Sequence, residues 1–466
     1  MKSTISPVRL CLYTSLVCFT SSIVANGHEE VPLSEDGSRG SAVAKFVMPE
    51  TVIAGQSLTI RLKGVTPNQL VRVTAERVTK WRGTKLNRSS AVFLADASGA
   101  IDVTKQQPVA DRDSSYRGIE PLGLLWSMTP VEEENTQSPV EGTVRFTADA
   151  ESQVDEGSEL LTKFDLRIIA GAKDLIEFPL RVEEEPLEGA FVVMPPSEKP
   201  LPVIITLGGS EGGDSSARRT APGLASQGYA VIGVPYYSPA YGDAKPQFSS
   251  LPRAFQEIPL DRLEAVVEAI DKDDRLDGNR IGLHGVSKGG EFVLAIASRL
   301  QRFRAVAAFV PSDVVWEGWG GTYKTSSFSY QGKPLPFVPY KGMDETIAKL
   351  SRGEAADIRV PHDNGRNAYP ERIDAARIRV EDITAALMVV GGDKDKTWDS
   401  GGMCRKIVER RNEEGLKTEA WISEDAGHYL SGHAFNPMAY APADASFRTK
   451  TYPAMLDFFK RTLQDN

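Results

Sequence analysis

The stretch from Arg280 to Ala297, RIGLHGVSKGGEFVLAIA, constrains the fold of this chain more than any other segment. Its first half has the apolar residues of a buried strand, and its second half has Phe292, Val293 and Ile296 at helical spacing. Between the halves lies Gly-Val-Ser-Lys-Gly, with a glycine two residues to either side of Ser287. These glycines remove side chains where a strand must turn sharply into a helix. The segment therefore predicts a strand, a tight turn with a serine at its apex, and a helix.

This arrangement resembles the nucleophile elbow of α/β-hydrolases, in which the serine is exposed on a strained turn. That fold uses a triad in the chain order serine, acid, histidine, so an acid and a base are expected downstream of Ser287. A predicted strand, Leu387–Val390, runs into the turn Gly-Gly-Asp-Lys-Asp-Lys. We predict Asp395 as the acid, because it follows a glycine at the spacing common in this fold, with Asp393 as the alternative.

The predicted base is His428, in the sequence Asp-Ala-Gly-His-Tyr after a strand-like segment, Glu419–Ile422. A histidine on a loop after the last strand is what the third triad position requires. His433 lies five residues further on and is the rival candidate. In the predicted mechanism, His428 accepts the proton of the serine hydroxyl and Asp395 orients the imidazole.

The predicted oxyanion hole uses two backbone amides. One is the N–H of Lys288, and the other comes from the loop Gly208–Gly213, where we choose Ser210 N–H with Glu211 N–H as the alternative. This glycine-rich loop lacks the spacing of phosphate-binding motifs, and the histidines are scattered with no cysteine pair. We therefore predict no cofactor and no metal ion.

Residues 41–185 are predicted to form an antiparallel, immunoglobulin-like β-sandwich domain, because short β-branched segments alternate with turn residues. One apolar segment in this region, Ser115–Pro130, is interpreted as a buried strand or as a plug between domains. The predicted strands are 57–65, 70–78, 91–103, 143–148 and 164–170.

Residues 186–466 are predicted to form the catalytic domain, because strands and helices alternate after residue 201. Such alternation predicts an α/β fold with a doubly wound, mostly parallel sheet. A segment rich in glycine, proline and aromatic residues, about 312–380, is predicted to be a cap-like insertion near the site. Predicted strands are 189–193, 203–207, 229–234, 305–310 and 387–390, and predicted helices are 216–227, 260–270 and 452–463.

The N-terminus reads as a targeting segment. Lys2 and Arg9 precede the apolar run Leu10–Ala25, so residues 1–27 are predicted to be a signal peptide and 28–40 a disordered linker. A single N-terminal membrane anchor is the alternative, but the serines and threonines of the run make it poorly hydrophobic. We expect a periplasmic or secreted protein if the signal is cleaved and a cytoplasmic one otherwise.

The composition of the chain limits the classes of binding partner to be expected. The formal charge of −9 argues against a general partner among nucleic acids or anionic membranes, and no later stretch is apolar enough to span a bilayer. Two of the three cysteines lie within the predicted signal, which leaves Cys404 and no internal disulfide. The expected partner is a small-molecule acyl thioester or ester substrate.

Several motifs together resemble the family of acyl-CoA thioesterases and bile acid-CoA:amino acid N-acyltransferases, from about residue 41 to the C-terminus. They are the segment Gly118–Met128, the loop GGSEGG, the elbow GVSKGGE, the turn GDKDKTW, which includes Trp398, and the tetrapeptide AGHY. The resemblance implies a β-sandwich followed by an α/β-hydrolase, with the family triad on Ser287, Asp395 and His428. It also implies attack on a thioester. Family members that conjugate amino acids carry cysteine at the nucleophile position, whereas the thioesterases carry serine.

These observations predict a serine hydrolase that cleaves acyl thioesters through an acyl-Ser287 intermediate resolved by water. The enzymatic alternatives are a carboxylesterase outside the cytoplasm and acyl transfer to the amine of an amino acid. The non-enzymatic alternative is a binding protein with a catalytically silent hydrolase fold.

Overall fold

The computed structural model describes most of the chain after residue 42. The predicted signal peptide (1–27) and linker (28–40) lie outside the described residues. Within them, residues 43–52 and 57–168 belong to one compact unit, and residues 53–56 and 169–465 to another. The described residues are 43–80, 83–132, 138–151, 159–182, 185–240, 245–438 and 440–465.

The first unit is built from antiparallel strands in two sheets, with the orders β1-β3-β6 and β2-β9-β8-β4-β5-β7. Alternate residues of the strands are buried: Val71, Val73 and Ala75 face the interior. The ring of Phe46 on one sheet lies 6.1 Å from that of Phe146 on the other. The strands are β1 Lys45–Val47, β2 Thr51–Ile53, β3 Arg61–Lys63, β4 Leu70–Thr79, β5 Lys85–Leu94, β6 Ala100–Asp102, β7 Thr129–Pro130, β8 Thr143–Ala150 and β9 Glu159–Ile169.

The first unit agrees with the prediction of a preceding β domain, and its assignment as immunoglobulin-like stays a prediction. The predicted strand 91–103 is wrong as one element. A turn at Gly99, with φ of 73°, separates β5 from β6, and Asp96 accepts hydrogen bonds from Ser98 N and Ala100 N there. The segment 115–130 is not a buried strand either. It forms a short helix, α1 Gly123–Trp126, whose leucines are buried, before strand β7.

The second unit has an eight-stranded sheet in the order β10-β11-β13-β12-β15-β16-β19-β20. The six strands from β13 to β20 in this order run parallel, whereas β10 and β11 pair antiparallel at one edge. This is the predicted α/β-hydrolase fold with a doubly wound, mostly parallel sheet, and the prediction is confirmed. The strands are β10 Ile176–Val182, β11 Glu185–Met194, β12 Leu201–Leu207, β13 Ala230–Gly233, β14 Ile258–Pro259, β15 Leu276–Val286, β16 Ala305–Phe309, β17 Phe328–Tyr330, β18 Lys333–Pro334, β19 Ala386–Gly392 and β20 Thr418–Ser423.

Helices pack on the faces of this sheet. The sequence placed the last helix at 452–463, but α9 begins ten residues earlier in the chain, at Pro442, and contains Pro453. A proline inside a helical pattern is read as a boundary, which is why the first half of α9 was missed. The helices are α2 Ser215–Ala225, α3 Arg262–Asp271, α4 Lys288–Ala297, α5 Met343–Ser351, α6 Arg359–Ala368, α7 Pro370–Ala376, α8 Ser400–Glu413, α9 Pro442–Phe459, the 3₁₀ turn Val380–Asp382 and the π-helical turn Lys460–Gln464. Of the described helices, none has the length and apolar character needed to cross a membrane.

The end of the first domain was predicted at residue 185, yet strand β10 is hydrogen-bonded into the large sheet. It pairs antiparallel with β11, which contains the predicted strand 189–193. Apolar and polar residues alternate in a short antiparallel hairpin as they do in the strands of a sandwich. This similarity explains why the end of the first domain was predicted too late in the chain.

The insertion between β16 and β19 is folded and well packed. Strand β17 pairs with β14, which precedes α3, and so joins the insertion to an earlier segment of the same unit. Trp316 and Tyr340 belong to an apolar cluster that also contains Trp398 and Met403, which lie beyond the insertion. The buried carboxylate of Asp313 pairs with Arg366 at 2.6 Å and with Arg410 at 2.8 Å.

Candidate active site

Ser287 lies at the turn between strand β15 and helix α4, as the sequence predicts. Its backbone has φ of 57° and ψ of −120°, a conformation that costs free energy for a residue with a side chain. The surroundings hold it there, since Ser287 N donates to Phe309 O at 2.9 Å. A Cβ on Gly285 would lie 2.2 Å from the carbonyl oxygen of Gly289, and one on Gly289 would lie 2.2 Å from that of Gly208. The two glycines of the motif are therefore required by close backbone contacts.

The structure brings the three predicted triad residues together. Ser287 Oγ lies 3.0 Å from His428 Nε2, and His428 Nδ1 lies 2.7 Å from Asp395 Oδ2. Neutral imidazole donates from one ring nitrogen and accepts at the other, so a proton on Nδ1 leaves Nε2 free to accept the serine proton. His428 is partly accessible, with 17% of its side chain exposed, whereas the Asp395 side chain is fully buried. The arrangement can activate a serine hydroxyl.

Asp395 is held as a carboxylate. Burial raises its pKa, but the neighbouring His428 and hydrogen bonds, including one from Thr397 N at 2.8 Å, outweigh burial and hold the pKa below its ordinary value. The alternative acid, Asp393, instead forms a two-pronged ion pair with Arg405 at 2.7 and 2.8 Å. The geometry therefore joins Asp395 rather than Asp393 to the histidine.

The loop that carries His428 is held by a residue that sequence analysis missed. The buried carboxylate of Asp444, in the first turn of helix α9, accepts hydrogen bonds from Gly427 N and from Tyr429 N, the latter at 2.8 Å. These amides flank His428 on both sides. An acidic residue in the first turn of a helix is a common sequence pattern, and nothing in it pointed to this loop.

The remaining described histidines lie elsewhere. The ring of the rival base, His433, contacts Phe435 and Tyr452. Burial lowers the pKa of His284 to about 4 and that of His362 to about 3, so both are neutral at physiological pH. The His362 ring makes an edge contact with Trp398, at 5.6 Å, and Trp398 makes one with His428, at 5.7 Å.

The loop after strand β12 approaches Ser287 closely. A Cβ on Gly209 would lie 3.2 Å from the Cβ of Ser287, so a larger residue there would crowd the serine. Gly209 N donates to the carboxylate of Glu211 at 3.1 Å, and the buried Tyr236 hydroxyl donates to Gly208 O at 2.8 Å. With the Gly209 amide engaged, the predicted donor of this loop remains Ser210 N–H, with Glu211 N–H as the alternative.

The second predicted oxyanion donor, the backbone N–H of Lys288, belongs to the first residue of helix α4. The N-terminus of a helix favours negative charge because its first N–H groups have no partner within the helix. Both oxyanion assignments stay predictions.

The side chain of Lys288 was not considered at the sequence level, and it is buried together with Glu291. Lys288 Nζ lies 2.6 Å from Glu291 Oε2. Burial lowers the pKa of Lys288 and raises that of Glu291, while their mutual attraction opposes both shifts. A lysine followed by a glutamate three residues later indicates an ion pair on one helix, but such pairs are usually exposed to solvent.

Among the residues described by the structure, no group of three or more acidic, histidine or cysteine side chains is arranged to hold a metal ion.

Comparison with known proteins identifies matches along both units. Residues 55–162 match the family model of the acyl-CoA thioester hydrolase/BAAT N-terminal region, and residues 258–463 match that of the BAAT/acyl-CoA thioester hydrolase C-terminus. Residues 189–322 also match the dienelactone hydrolase family. The two ends of the chain thus match the two parts of one family.

Relatives with curated names extend these matches over most of the chain. Acyl-coenzyme A thioesterase 1 of Homo sapiens is 27% identical over 381 residues, a match that covers 80% of this chain and 82% of the relative. Mitochondrial acyl-coenzyme A thioesterase 2 of Homo sapiens is 26% identical over 381 residues, covering 80% and 72%. Among solved structures, a putative dienelactone hydrolase from Klebsiella pneumoniae subsp. pneumoniae MGH 78578 matches with a TM-score of 0.38 and 16% identity, over 62% of this chain and 99% of that one.

Proposed function

Because the chain belongs to the acyl-CoA thioester hydrolase/BAAT family, we propose that it is a serine hydrolase of acyl thioesters and that its substrates are acyl-CoA thioesters. The observation that carries the serine mechanism is the continuous hydrogen-bond chain from Ser287 through His428 to Asp395. The substrate class is supported by the names of the relatives. These proteins are called acyl-coenzyme A thioesterases, and they match 80% of this chain.

In the proposed mechanism, His428 Nε2 removes the proton of Ser287 Oγ while the oxygen attacks the thioester carbonyl. Asp395 keeps the proton on Nδ1 and stabilises the imidazolium that forms. The oxyanion is stabilised by the N–H groups of Lys288 and Ser210, and each such donor is typically worth about 3 kcal/mol in the transition state.

The tetrahedral intermediate expels the thiolate, and His428 returns its proton to the leaving sulfur. Water then enters, loses a proton to His428 and attacks the acyl-Ser287 ester. Collapse of the second intermediate releases the carboxylic acid and restores the serine hydroxyl. The low pKa of Asp395 keeps this carboxylate charged through both steps.

The direct test compares the wild-type protein with the Ser287→Ala variant on acyl-CoA thioesters of several chain lengths and on p-nitrophenyl esters. We expect kcat of the variant to fall by a factor on the order of 10⁶ with an unchanged circular dichroism spectrum. Equal rates in the two proteins would contradict the serine mechanism. If a fluorophosphonate also failed to label the wild-type serine, the silent binding protein would become the better proposal.

A carboxylesterase outside the cytoplasm is the second candidate. It is favoured by the apparent signal sequence at residues 1–27, since acyl-CoA is an intracellular substrate, and by the dienelactone hydrolase match at residues 189–322. We propose export of the mature protein. N-terminal sequencing and cell fractionation test it, and the ratio of kcat/KM for matched thioesters and oxygen esters decides between the substrates.

Acyl transfer to an amine is tested by product analysis in the presence of glycine or taurine. We expect free acid from the wild-type protein, because Ser287 corresponds to the nucleophile of the family's thioesterases. The Ser287→Cys variant is compared with the wild type in the same assay, since family members that conjugate amino acids carry cysteine at this position. A conjugate formed faster than free acid by the wild type would overturn hydrolysis as the main reaction.

A further inference from the structure

A buried ion pair lies directly beside the nucleophile. Lys288 follows Ser287 in the chain, and its ammonium lies 2.6 Å from Glu291 Oε2 and 2.9 Å from Ser327 Oγ. Only 3% of the Lys288 side chain and none of the Glu291 side chain is exposed. The pair has no role in the proton transfers of the proposed mechanism, so its presence at this position needs a separate explanation.

Aromatic rings surround the lysine ammonium. Lys288 Nζ lies 5.2 Å from the ring centroid of Phe255, 5.2 Å from that of Phe328, 5.7 Å from that of Trp319 and 5.9 Å from that of Trp398. Cation–π attraction holds a charge at this range, most strongly where water is excluded. Even so, a buried ion pair seldom stabilises a fold more than apolar side chains of similar size would. Stability alone is therefore a weak reason for these two charges.

The pair connects the elbow helix to the insertion. Glu291 Oε1 accepts a hydrogen bond from Trp316 N at 3.2 Å, while its other oxygen binds Lys288. Ser327 Oγ, which accepts a hydrogen bond from Lys288 Nζ, donates one to Glu317 O at 3.1 Å. Two separate segments of the insertion are thus attached to the first turn of helix α4.

We propose that Lys288 is a positioning residue: its side chain, fixed by Glu291 and Ser327, holds the Lys288 backbone N–H in the orientation that the oxyanion requires. This inference rests on the proposed function of Ser287 and on the assignment of that N–H as an oxyanion donor. An ammonium with two defined partners restrains direction as well as position, whereas an apolar side chain only fills space. Displacements of about 1 Å at reacting groups are enough to cost about 100-fold in rate.

The test separates positioning from folding stability. The Lys288→Met variant leaves the Glu291 carboxylate buried without a counter-ion, so it should lose both stability and activity. The double variant Lys288→Met/Glu291→Gln removes both charges and keeps an oxygen that accepts the Trp316 N–H. We expect its thermal stability to return towards that of the wild type. Its kcat should stay about 10- to 100-fold low, with KM changed less than about two-fold.

A matched control removes a different buried cation, that of Arg411. Arg411 is 2% exposed, and its guanidinium donates to Val380 O and Ile383 O, which lie outside the elbow segment 280–297. The Arg411→Met variant should lose stability while its folded fraction keeps the wild-type kcat. If the double variant regained wild-type kcat together with its stability, or if the Arg411 control lost kcat equally, the positioning role would be overturned.

Covalent labelling of Ser287 by a fluorophosphonate makes the test independent of the thioester. The phosphonyl oxygen uses the same oxyanion donors, so the labelling rate of the double variant should fall by about the same factor as kcat. A wild-type protein that labels but cleaves no thioester would contradict the proposed substrate and leave the labelling comparison as the test. A wild-type serine that does not label would contradict both proposals.

Discussion

Two pairs of ionisable side chains lie beside Ser287, and they differ in access to solvent. The pair of His428 and Asp395 is partly open, since 17% of the histidine side chain is exposed, whereas the pair of Lys288 and Glu291 is sealed among aromatic rings. A proton carrier must meet substrate and water, but a positioning group works best where nothing can displace it. The partly exposed pair is therefore suited to proton transfer, and the buried pair is suited to holding a backbone group in place.

The largest expected effect distinguishes activity from stability. The His428→Ala variant should lower kcat by a factor on the order of 10⁶, because it removes the group proposed to accept the serine proton. Its melting temperature should change by only a few degrees, since this side chain is partly exposed. Steady-state kinetics and differential scanning calorimetry on the same preparation measure both. A large fall in stability would show that the open pair is also a structural element.

The next effect tests the assignment of the acid. The Asp395→Asn variant should lower kcat by about 10⁴-fold, because an amide favours the wrong histidine tautomer. The Asp393→Asn variant is the matched control two residues away, and it loses only the partly exposed ion pair with Arg405. We expect a change in kcat below about two-fold for this control, in line with the small value of surface ion pairs. Similar losses in both variants would contradict the choice of Asp395.

A smaller effect is expected at Asp444, which holds the loop of the open pair. The Asp444→Asn variant replaces one accepting oxygen by a donor that faces a backbone N–H. It should cost about 1 to 3 kcal/mol of folding free energy and lower kcat by about ten-fold, with little change in KM. The Asp457→Asn variant on the same helix, where the exposed carboxylate pairs with Arg461, serves as the control. Chemical denaturation and initial rates measure both quantities.

The smallest effect sharpens the comparison through pH. The folded-state pKa of Asp395 is lowered, so its stabilising contribution is present above the unfolded value of about 3.9 and is lost as pH falls through the folded value. The folded-state pKa of Glu291 is raised, mainly by burial, so its contribution is present below about 4.3 and is lost as pH rises through the folded value.

Urea denaturation of the wild type, Asp395→Asn and Glu291→Gln between pH 3 and pH 6 measures these contributions. As pH rises, the difference in free energy of unfolding between the wild type and Asp395→Asn should grow. The difference between the wild type and Glu291→Gln should shrink. Slopes of the same sign would contradict the contrast between the two pairs.

The sequence predicted seven of the eight strands of the large sheet and helices α2, α3 and α4, because parallel strands and amphipathic helices leave local patterns. It predicted none of the helices α5, α6 and α7 of the insertion. It placed strand β10 in the wrong domain because an antiparallel edge hairpin looks like part of a sandwich. It also missed the first half of α9, since Pro453 reads as a helix start, and the four-residue helix α1, which is too short to show periodicity.

At the site, the elbow and the chain order of the candidate triad could be predicted from the sequence, and the residues that support them could not. Asp444 and Glu291 are ordinary helix residues in the sequence. Their importance comes from backbone amides that approach them only in the folded chain. A hydrogen bond between distant segments leaves no local pattern, so such residues escape a search for motifs.

By itself the sequence predicted that Ser287 lies on a tight turn, because a glycine stands two residues to either side of it, between a strand pattern and a helix pattern. It also determined the candidates for acid and base. The tertiary structure decided which candidates meet: His428 reaches Ser287 and Asp395 reaches His428, whereas Asp393 pairs with Arg405 and His433 contacts Tyr452. It also decided that Lys288 is buried. The reason is physical: a close turn is a local property of the backbone, whereas burial and pairing depend on segments far apart in the chain.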